Sequence, residues 1–410
     1  MIHFIDQTSE RDHHMVFNSS ILKILLKMYP SEKIISHGNA SNHKSIKELL
    51  SDDEVRNITF KPILYTKSIS EAKVVKGLNY IVKENRRRLV FKEILSNASA
   101  NDLVFLSITT FSSFFVFKRL KAKSNVPTIA VLHGDLDFVY NANDKVEKLI
   151  GATYKKVFNT FAPNFHYLLL NKISKEYLMQ DGFLKREEIL EIDHPHNMLA
   201  VDVTEKEIAG NTVFSFGHIG SMEVERKNSH YIYELAEKFS AEITQKKVSF
   251  QVIGLITSSV IPYKNKWVEE MTGNLKENKP DYLSREQYES KLQKLDYSLF
   301  FYDTNQYIFR TSGAIIDAIA ACIPFVVLKH PIFDYIFQEA GNVGFQCKDL
   351  DEMHDLIKKI IAKDEEIIKQ YKIQVLNLMK IRKRLSVEEV AIDLKKQIDA
   401  ICYNSNKVLS

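Results

Sequence analysis

The chain has 410 residues, of which 45% are hydrophobic and 26% are charged. These values are typical of soluble globular proteins, so the composition excludes a disordered chain, a collagen-like repeat and a small disulfide-stabilised scaffold. Lysine and arginine together number 56 against 52 aspartates and glutamates, and the net charge of +4 is too small to indicate nucleic-acid binding.

The cysteines and the N-terminal segment indicate a compartment. Cys322, Cys347 and Cys402 show neither a CxxC nor a Cys/His metal spacing, which is typical of unpaired thiols in a reducing environment. The N-terminal residues 1–14 contain a charged side chain, Asp6, after only five residues, and they lack the long apolar core of a signal peptide. No stretch approaches the roughly 20 apolar residues that a membrane-spanning helix needs. We therefore expect a cytoplasmic protein, at most peripheral at the inner face of the membrane.

In the first half of the chain, short β-branched or aromatic runs alternate with longer amphipathic stretches. The runs predict strands at Ile2–Ile5, Lys33–Ser36, Thr59–Leu64, Leu103–Ser107, Thr128–Leu132, Tyr167–Leu170 and Ile189–Ile192. The stretches predict helices at Ser19–Tyr29, Ser70–Ser96, Phe111–Lys123 and Lys145–Phe161. Near-continuous apolar strands flanked by helices indicate a parallel sheet that is covered on both faces.

The second half repeats this alternation. Its predicted strands are Val213–Phe216, Val248–Ile253, Tyr297–Phe301, Phe325–Leu328 and Gly344–Gln346. Its predicted helices are Ser229–Phe239, Arg285–Leu295, Gly313–Ala321 and Leu350–Ala362. One doubly wound domain rarely needs so many strands, so the fold class is α/β with two consecutive Rossmann-like domains.

The predicted domains are 1–197, 211–365 and a helical segment 366–410. The first boundary falls in the polar stretch from His194-Pro195-His196-Asn197 to Asn211, where the strand–helix alternation pauses. After Ile361 only helical periodicity remains.

A glycine-containing segment opens the second domain. The strand from Val213 leads into Gly217-His218-Ile219-Gly220-Ser221, and Arg226-Lys227-Asn228 follow before a helix. Small residues let a ligand approach the backbone, and a cation pair beside a helix N-terminus favours an anion. We interpret the segment as a diphosphate site; the alternative is a tight turn followed by an ordinary surface Arg-Lys pair.

A second segment, Arg310 to Leu328, follows the strand at Tyr297–Phe301. Ser312-Gly313 predict a helix start with a capping hydroxyl and exposed amides, which is another anion site. Asp317 lies one turn into an otherwise apolar helix, where a carboxylate is costly without a partner. We predict that it binds ribose hydroxyls; the alternatives are exposure to solvent or pairing with Arg310 or Lys329.

These segments resemble GT-B-type glycosyltransferases, in particular their group 1 C-terminal domain. The stretch Ser312–Val327 is similar to that family's "E-A-x-A-x-G-x-P-V-V" nucleotide-sugar motif, and 340–350 is similar to its continuation. Phe216–Gly220 with Arg226-Lys227-Asn228 is similar to its donor-phosphate loop. The resemblance covers 213–361 and implies a GT-B fold, in which two domains face across a cleft and the C-terminal helices return to the N-terminal domain.

The chain departs from the family pattern at two positions. Many retaining members carry a Glu-x7-Glu pair, but here Phe309 occupies the first position and Asp317 the second. Cys322 replaces the motif glycine. Retention or inversion at the sugar therefore stays open. Arg310 would stabilise charge on the leaving diphosphate.

In the N-terminal half, the strand at Thr128–Leu132 ends in His133-Gly134-Asp135. Ligands gather at the carboxyl ends of strands in doubly wound sheets, so His133 or Asp135 can take a proton from an acceptor hydroxyl. The resemblance makes this region the acceptor side; the alternative is a satisfied histidine at a strand end. The adjacent His13-His14 lack the i,i+4 spacing of a metal site, and we predict no metal.

Three basic clusters remain: Arg86–Arg88, Lys118–Lys123 and Lys380–Arg384. Such clusters are usually solvated faces, and the alternative is contact with anionic lipid headgroups.

The leading hypothesis is a glycosyltransferase, with a nucleotide sugar as donor, a glycan or lipid-linked acceptor, no cofactor, no metal and no nucleic-acid partner. The resemblance suggests surface polysaccharide or glycoconjugate assembly. The predicted donor-binding residues are Gly220, Ser221, Arg226, Lys227, Ser312, Gly313 and Asp317, and the predicted catalytic residues are His133, Asp135 and Arg310. Two alternatives stay open: a sugar-nucleotide epimerase or hydrolase on the same fold, and a non-catalytic partner subunit.

Overall fold

The computed structural model describes residues 1–64, 73–197, 208–271, 275–276, 279–280, 283–304 and 307–408. The chain divides into two compact units. Unit 1 comprises Met1–Asn197 with Leu385–Ser410, and unit 2 comprises Met198–Arg384. Part of the predicted boundary stretch, residues 198–207, lies outside the described residues.

Unit 1 contains a parallel sheet of seven strands. They are β1 (Ile2–Asp6), β2 (Ile34–Gly38), β3 (Ile58–Pro62), β4 (Leu103–Ile108), β5 (Thr128–Val131), β6 (Phe165–Leu169) and β7 (Ile189–Glu191). Their order is β3-β2-β1-β4-β5-β6-β7, and each neighbouring pair runs parallel. Each strand matches a predicted one, because the apolar runs that predict strands are the ones a doubly covered sheet buries.

Unit 2 contains a parallel sheet of six strands and a short hairpin. The strands are β8 (Phe214–Ile219), β9 (Val248–Ile253), β10 (Val268–Met271), β11 (Leu275–Lys276), β12 (Lys279–Pro280), β13 (Tyr297–Phe300), β14 (Phe325–Leu328) and β15 (Gly344–Cys347). The large sheet has the order β10-β9-β8-β13-β14-β15, and β11 pairs with β12. The sequence did not predict β10, because two glutamates interrupt its apolar character.

Sixteen helices connect or flank these strands in the described residues. They are α1 (Met15–Met28), α2 (Ala40–Lys47), α3 (Asp52–Arg56), α4 (Lys73–Asn97), α5 (Phe111–Lys121), α6 (Asp137–Tyr140), α7 (Lys145–Asn159), α8 (Lys172–Gln180), α9 (Tyr231–Lys238), α10 (Ser240–Thr244), α11 (Arg285–Leu292), α12 (Gly313–Ala320), α13 (Pro331–Ala340), α14 (Leu350–Ile361), α15 (Glu365–Arg384) and α16 (Val387–Val408). Short 3-10 helices lie at Gly134–Leu136, Arg186–Glu188 and Ile261–Tyr263.

Side-chain caps begin several of these helices where the sequence changes from a strand end to an amphipathic pattern. Asn39 caps α2, Asp144 caps α7 and Asp349 caps α14, each by accepting a backbone N–H. Ser284 and Gln287 form a reciprocal capping box at the start of α11. Each such cap satisfies amides that the first helical turn leaves without a partner.

In unit 1 the sheet lies between two helical layers. Helices α1, α2 and α16 pack together on one face, and α1 and α16 contribute Leu25 and Leu394 to the core there. Helices α4, α5 and α7 form the other layer. The Phe91 and Phe117 rings join α4 to α5, and the Phe114 and Tyr154 rings join α5 to α7.

In unit 2, helix α15 packs on α12 and α13. The buried ring of Tyr371 on α15 lies edge-on to Tyr297 of β13, with 5.3 Å between ring centroids. The sequence predicts one helical segment, 366–410, that includes most of α15 and all of α16. In the structure these two helices belong to different units: α15 lies in unit 2, and α16 lies in unit 1. No helix in the described part of the chain has the length and apolar character needed to cross a bilayer.

Candidate functional site

The strand order of unit 2 reverses between β8 and β13. From β8 the chain adds β9 and β10 on one side, and from β13 it adds β14 and β15 on the other. In parallel sheets, the loops at the carboxyl ends of strands diverge at such a switch point and leave room for a ligand. Of the predicted donor-binding residues, Gly220, Ser221, Arg226 and Lys227 follow β8, whereas Ser312 and Gly313 follow β13. The predicted catalytic residue Arg310 also follows β13.

Gly220 brings the end of β8 close to helix α12. Its φ angle is +85°, and a Cβ added to it would lie 3.1 Å from the Cβ of Ala314 in the first turn of α12. Gly254, at the end of β9, has a φ of +147°, and a Cβ there would lie 2.2 Å from the carbonyl oxygen of Gly220. Both positions therefore require glycine, and the close approach places the β8 loop beside a helix N-terminus.

The N-terminus of α12 is open. Gly313 is exposed, and beyond its chain neighbours and its own helix backbone no atom of the described residues lies within 4 Å of the position that a Cβ on it would occupy. The predicted hydroxyl cap does not form: Ser312 is buried, and its Oγ lies 2.7 Å from the Tyr302 hydroxyl. The first amides of the helix still lack intrahelical acceptors, so an anion can bind them.

Lys227 places a buried ammonium group in the β8 loop. Its Nζ donates to the carbonyl oxygen of Ser221 at 2.8 Å and lies 3.3 Å from the Ser221 hydroxyl. Burial lowers the pKa of Lys227 to about 8; Glu223 opposes this shift, whereas Arg226 and Arg310 reinforce it. A cation held in this environment gains from a bound anion, because the anion restores the solvation that burial removed.

Arg226 is already engaged by a carboxylate of the same loop. Its guanidinium donates to Glu223 Oε2, with N–O distances of 2.6 and 2.9 Å. Ser229 anchors the loop to the interior of unit 2. Its Oγ accepts a hydrogen bond from the Glu223 amide at 3.0 Å and lies 2.9 Å from Nε2 of the fully buried His218. Neither Glu223 nor Ser229 was predicted to be part of this site.

Asp317 pairs with helix α11. Its Oδ1 accepts from the Arg285 guanidinium at 2.9 Å, and its Oδ2 accepts from the Tyr288 hydroxyl at 3.0 Å. This ion pair differs from the alternatives drawn from the sequence, namely solvent, Arg310 and Lys329. Burial and Asp317 raise the pKa of Tyr288 well above its ordinary value. No local pattern identified Arg285 or Tyr288, because their partner lies about 30 residues further along the chain.

The two departures from the family pattern have structural consequences. Phe309 is buried, so an apolar ring stands where retaining enzymes carry a carboxylate. Cys322 has a φ of +51° and ends α12 in a Schellman motif, in which its N–H bonds to Ile319 and the next N–H bonds to Ala318. A glycine would adopt this left-handed conformation without strain, which explains the residue type in the motif.

In unit 1, His133 follows β5 and bonds to β4. Its Nε2 lies 3.0 Å from the carbonyl oxygen of Ser107. A carbonyl only accepts, so Nε2 carries the proton and the lone pair of the neutral ring is on Nδ1. Burial lowers the pKa of His133 to about 4, and the hydrogen bond to Ser107 partly opposes this shift. His133 is therefore uncharged at neutral pH.

A hydrogen-bonded chain positions the carbonyl group that holds His133. The Ser107 hydroxyl donates to Asn18 Oδ1 at 2.7 Å, and Asn18 Nδ2 donates to Asp6 Oδ2 at 2.5 Å. Asp6 is buried and also accepts the amides of Thr8 and Ser9. The chain joins β1, α1, β4 and β5, and the sequence did not identify Asn18 or Ser107.

The predicted residue Asp135 follows His133 in the chain, and two aromatic rings of unit 1 lie against His133. Asp135 lies half-buried in the 3-10 helix that follows it. The His14 ring lies 5.4 Å from the His133 ring, and Phe17 lies 5.2 Å from it and 5.0 Å from His194. Within the described ranges, no group of three or more His, Cys, Asp or Glu side chains is arranged to hold a metal ion.

Comparison with protein-family models finds no match, and comparison with the sequences of curated proteins finds none. Solved structures, in contrast, match almost the whole chain. HepE from Anabaena, solved with UDP and glucose, has 13% identity and a TM-score of 0.62 over 98% of this chain and 99% of HepE. Trehalose-6-phosphate synthase from Burkholderia multivorans has 8% identity and a TM-score of 0.64 over 100% and 98% of the two chains. MnaA from S. aureus, solved with UDP, has 15% identity and a TM-score of 0.55 over 99% and 96%.

These neighbours share the GT-B fold with the chain. At such low identities the likeness concerns the fold, and it extends over the full length of the chain. The predicted α/β class with two parallel sheets and the predicted resemblance to GT-B proteins are therefore confirmed at the level of the fold.

Proposed function

We propose that this chain is a glycosyltransferase that moves a sugar from a nucleotide-sugar donor to an acceptor hydroxyl. One observation carries the proposal: the Gly220 loop, the Lys227 ammonium and the open first turn of α12 converge at the switch point of unit 2. Exposed amides, a buried cation and close backbone approach are the chemistry of a diphosphate site. HepE and MnaA, both solved with UDP, support a donor of this class.

In this proposal the donor phosphates bind the amides of the β8 loop and of α12. Gly220 and Ser221 provide one wall, and Gly313 provides the other. Ser312 contributes its backbone, because its hydroxyl is bonded to Tyr302. We assign ribose binding to Asp317, whose carboxylate Arg285 and Tyr288 hold in place beside the first turn of α12.

We assign stabilisation of the leaving diphosphate to Lys227 and Arg310, with Arg226 at the edge of the same loop. As the bond between the sugar carbon and the diphosphate oxygen breaks, negative charge grows on that oxygen. Cations that already lie beside the oxygen stabilise this charge in the transition state. They lower the activation barrier of the transfer because the protein need not rearrange as the charge appears. With these cations in that role, the proposed reaction calls for no metal and no cofactor.

We assign acceptor activation to unit 1. The acceptor oxygen attacks the sugar carbon while its proton passes to Nδ1 of His133, which holds the lone pair of the neutral ring. Asp135 is the second candidate for this proton. A glycan or lipid-linked acceptor and a cytoplasmic location remain part of the proposal. The acceptor class rests on the family resemblance, and the location rests on the spacing of the cysteines, which is typical of unpaired thiols.

A partner subunit that has lost the chemistry is the second candidate. Two observations favour it: the buried Phe309 stands where a carboxylate is expected, and Asp317 is engaged by Arg285. An epimerase or hydrolase on this fold would bind the donor and form its product without an acceptor.

Thermal shift with UDP, GDP, CDP, dTDP and their common sugars tests the proposal. We expect one nucleotide to raise the melting temperature of the wild type, because a ligand of the native state stabilises it by mass action. Asp317→Ala should lose this shift, measured from its own ligand-free melting temperature. Asp355→Ala removes an exposed carboxylate from the same unit and should keep it. If no nucleotide shifts the wild type, the partner-subunit candidate replaces the enzyme.

Once the donor is known, His133→Gln separates the roles of the two units. We expect the nucleotide shift to persist and sugar transfer to fall by roughly 10²- to 10⁴-fold, the usual contribution of a general base. Transfer at the wild-type rate would remove His133 from the mechanism. Product formation from the donor alone would favour the epimerase or hydrolase.

A further inference from the structure

One helical layer of unit 1 concentrates positive charge. Helices α4, α5 and α7 contain fourteen Lys and Arg but three Asp and Glu, a surplus of eleven positive charges. The rest of the chain has 42 Lys and Arg against 49 Asp and Glu. The positive charge of this layer is therefore largely offset in the net charge of the whole chain.

Only some of the basic residues that the sequence suggested on this layer reach solvent. Lys118 is buried, donates to the Tyr167 hydroxyl and lies 5.0 Å from the centroid of the Phe165 ring. Lys121 is also buried and donates to the carbonyl oxygens of Ser124 and Pro163. Arg87 is buried against Glu84. Among the side chains of these helices that the structure describes, Arg86, Arg88 and Arg119 of those clusters are exposed, together with Lys92 on α4 and the four lysines of α7.

Large aliphatic side chains are exposed on the same helices. On α4, Ile81, Val82 and Leu89 are 63%, 51% and 47% exposed, and on α7, Val146 and Leu149 are 62% and 58% exposed. Leu89 follows Ile81 by eight residues and Val82 by seven, so all three lie on one side of the helix with Arg86 and Arg88 nearby. Exposed apolar patches bordered by polar groups mark interaction sites.

The acidic groups of this layer do not neutralise it. The Glu84 carboxylate accepts from Arg87 and from the Ser112 and Ser113 hydroxyls, and Glu93 pairs with Lys61 at 2.7 Å. On the opposite layer, cations are matched by carboxylates, as in Lys27 with Glu388 at 3.1 Å. The two helical layers of unit 1 therefore present surfaces of different chemistry.

We propose that the outer face of α4, α5 and α7, here called the basic face, binds an anionic lipid surface. Cations attract the headgroups, and exposed Ile, Val and Leu enter the region between headgroups and acyl chains. A second copy of the chain fits less well, because a two-fold contact would bring two positive faces together. Nucleic acid also fits less well, since single strands use aromatic stacking and these exposed side chains are mostly aliphatic.

Co-sedimentation of the full chain with vesicles tests this inference. We expect binding to vesicles of phosphatidylcholine with phosphatidylglycerol, no binding to phosphatidylcholine alone, and loss of binding as salt is added. The double variant Arg86→Gln with Arg88→Gln should bind roughly 30-fold more weakly, at about a factor of 5 per charge. Ile81→Ser with Leu89→Ser should also weaken binding and should keep the dependence on salt.

Ile392→Ser is the matched control, because Ile392 is 68% exposed on α16 of the opposite layer. It should bind vesicles as the wild type does. Three outcomes would overturn the inference: equal binding to both kinds of vesicle, no binding to either kind, or unchanged binding by the Arg86/Arg88 variant. Self-association of the wild type that the Ile81/Leu89 variant loses would assign the face to a second copy instead. Because all these residues lie in unit 1 and the assay contains no nucleotide, its outcome is independent of the donor-site experiment.

Discussion

The carboxylate of Asp317 on α12 is held by the guanidinium of Arg285 on α11, with 2.9 Å between oxygen and nitrogen. The side chains of both residues are largely buried, at 14% and 19% exposed. The pair therefore holds the proposed ribose-binding carboxylate in place before any ligand arrives.

Replacing Arg285 with Gln should destabilise the protein, because the largely buried Asp317 carboxylate would lose this ion pair. We expect a loss of roughly 1–3 kcal/mol in the free energy of unfolding, below the 3–5 kcal/mol typical of fully buried pairs. Urea unfolding measures it. The double variant with Asp317→Asn should recover part of the loss, and additive effects of the two changes would contradict a direct interaction.

Affinity for the diphosphate of the donor should depend on pH through Lys227. Its pKa is lowered to about 8, so its ammonium is charged below that pH and neutral above it. Affinity should therefore stay level up to pH about 8 and then fall, approaching tenfold per pH unit. Lys227→Arg should abolish the fall because arginine stays protonated. Titration calorimetry across this range checks both proteins, and parallel curves would remove Lys227 from the site.

Acid should destabilise the fold partly through His218. Its pKa is lowered from 6.5 to about 3, chiefly by burial. Between these values the unfolded chain binds a proton that the folded chain does not, so stability is present above pH 6.5 and is lost as the pH falls. At pH about 4.5 this amounts to about 3 kcal/mol. In His218→Gln, stability should change less between neutral pH and pH about 4.5, and an unchanged dependence would contradict the assignment.

Cys322 should carry a backbone cost that glycine would remove. The residue is buried at a φ of +51°, a conformation that costs an L-residue roughly 1 kcal/mol. Cys322→Ala should destabilise the protein, because it loses the buried sulfur and keeps the strain. Cys322→Gly should be about 1 kcal/mol more stable than Cys322→Ala, in contrast to the usual order in helices. Thermal unfolding compares the two variants, and the reverse order would show that the turn relaxes.

The α/β class and the twelve predicted strands could be read from the sequence alone, because buried parallel strands are continuous apolar runs that local periodicity reveals. The sequence also located the Gly220 and Ser312-Gly313 segments at strand ends. The surroundings of the individual side chains depended on the folded chain: Asp317 pairs with Arg285, His133 bonds to the Ser107 carbonyl, and Lys118 and Lys121 lie in the interior. These contacts join segments that are distant in the chain, and the order of strands in the sheet brings such segments together.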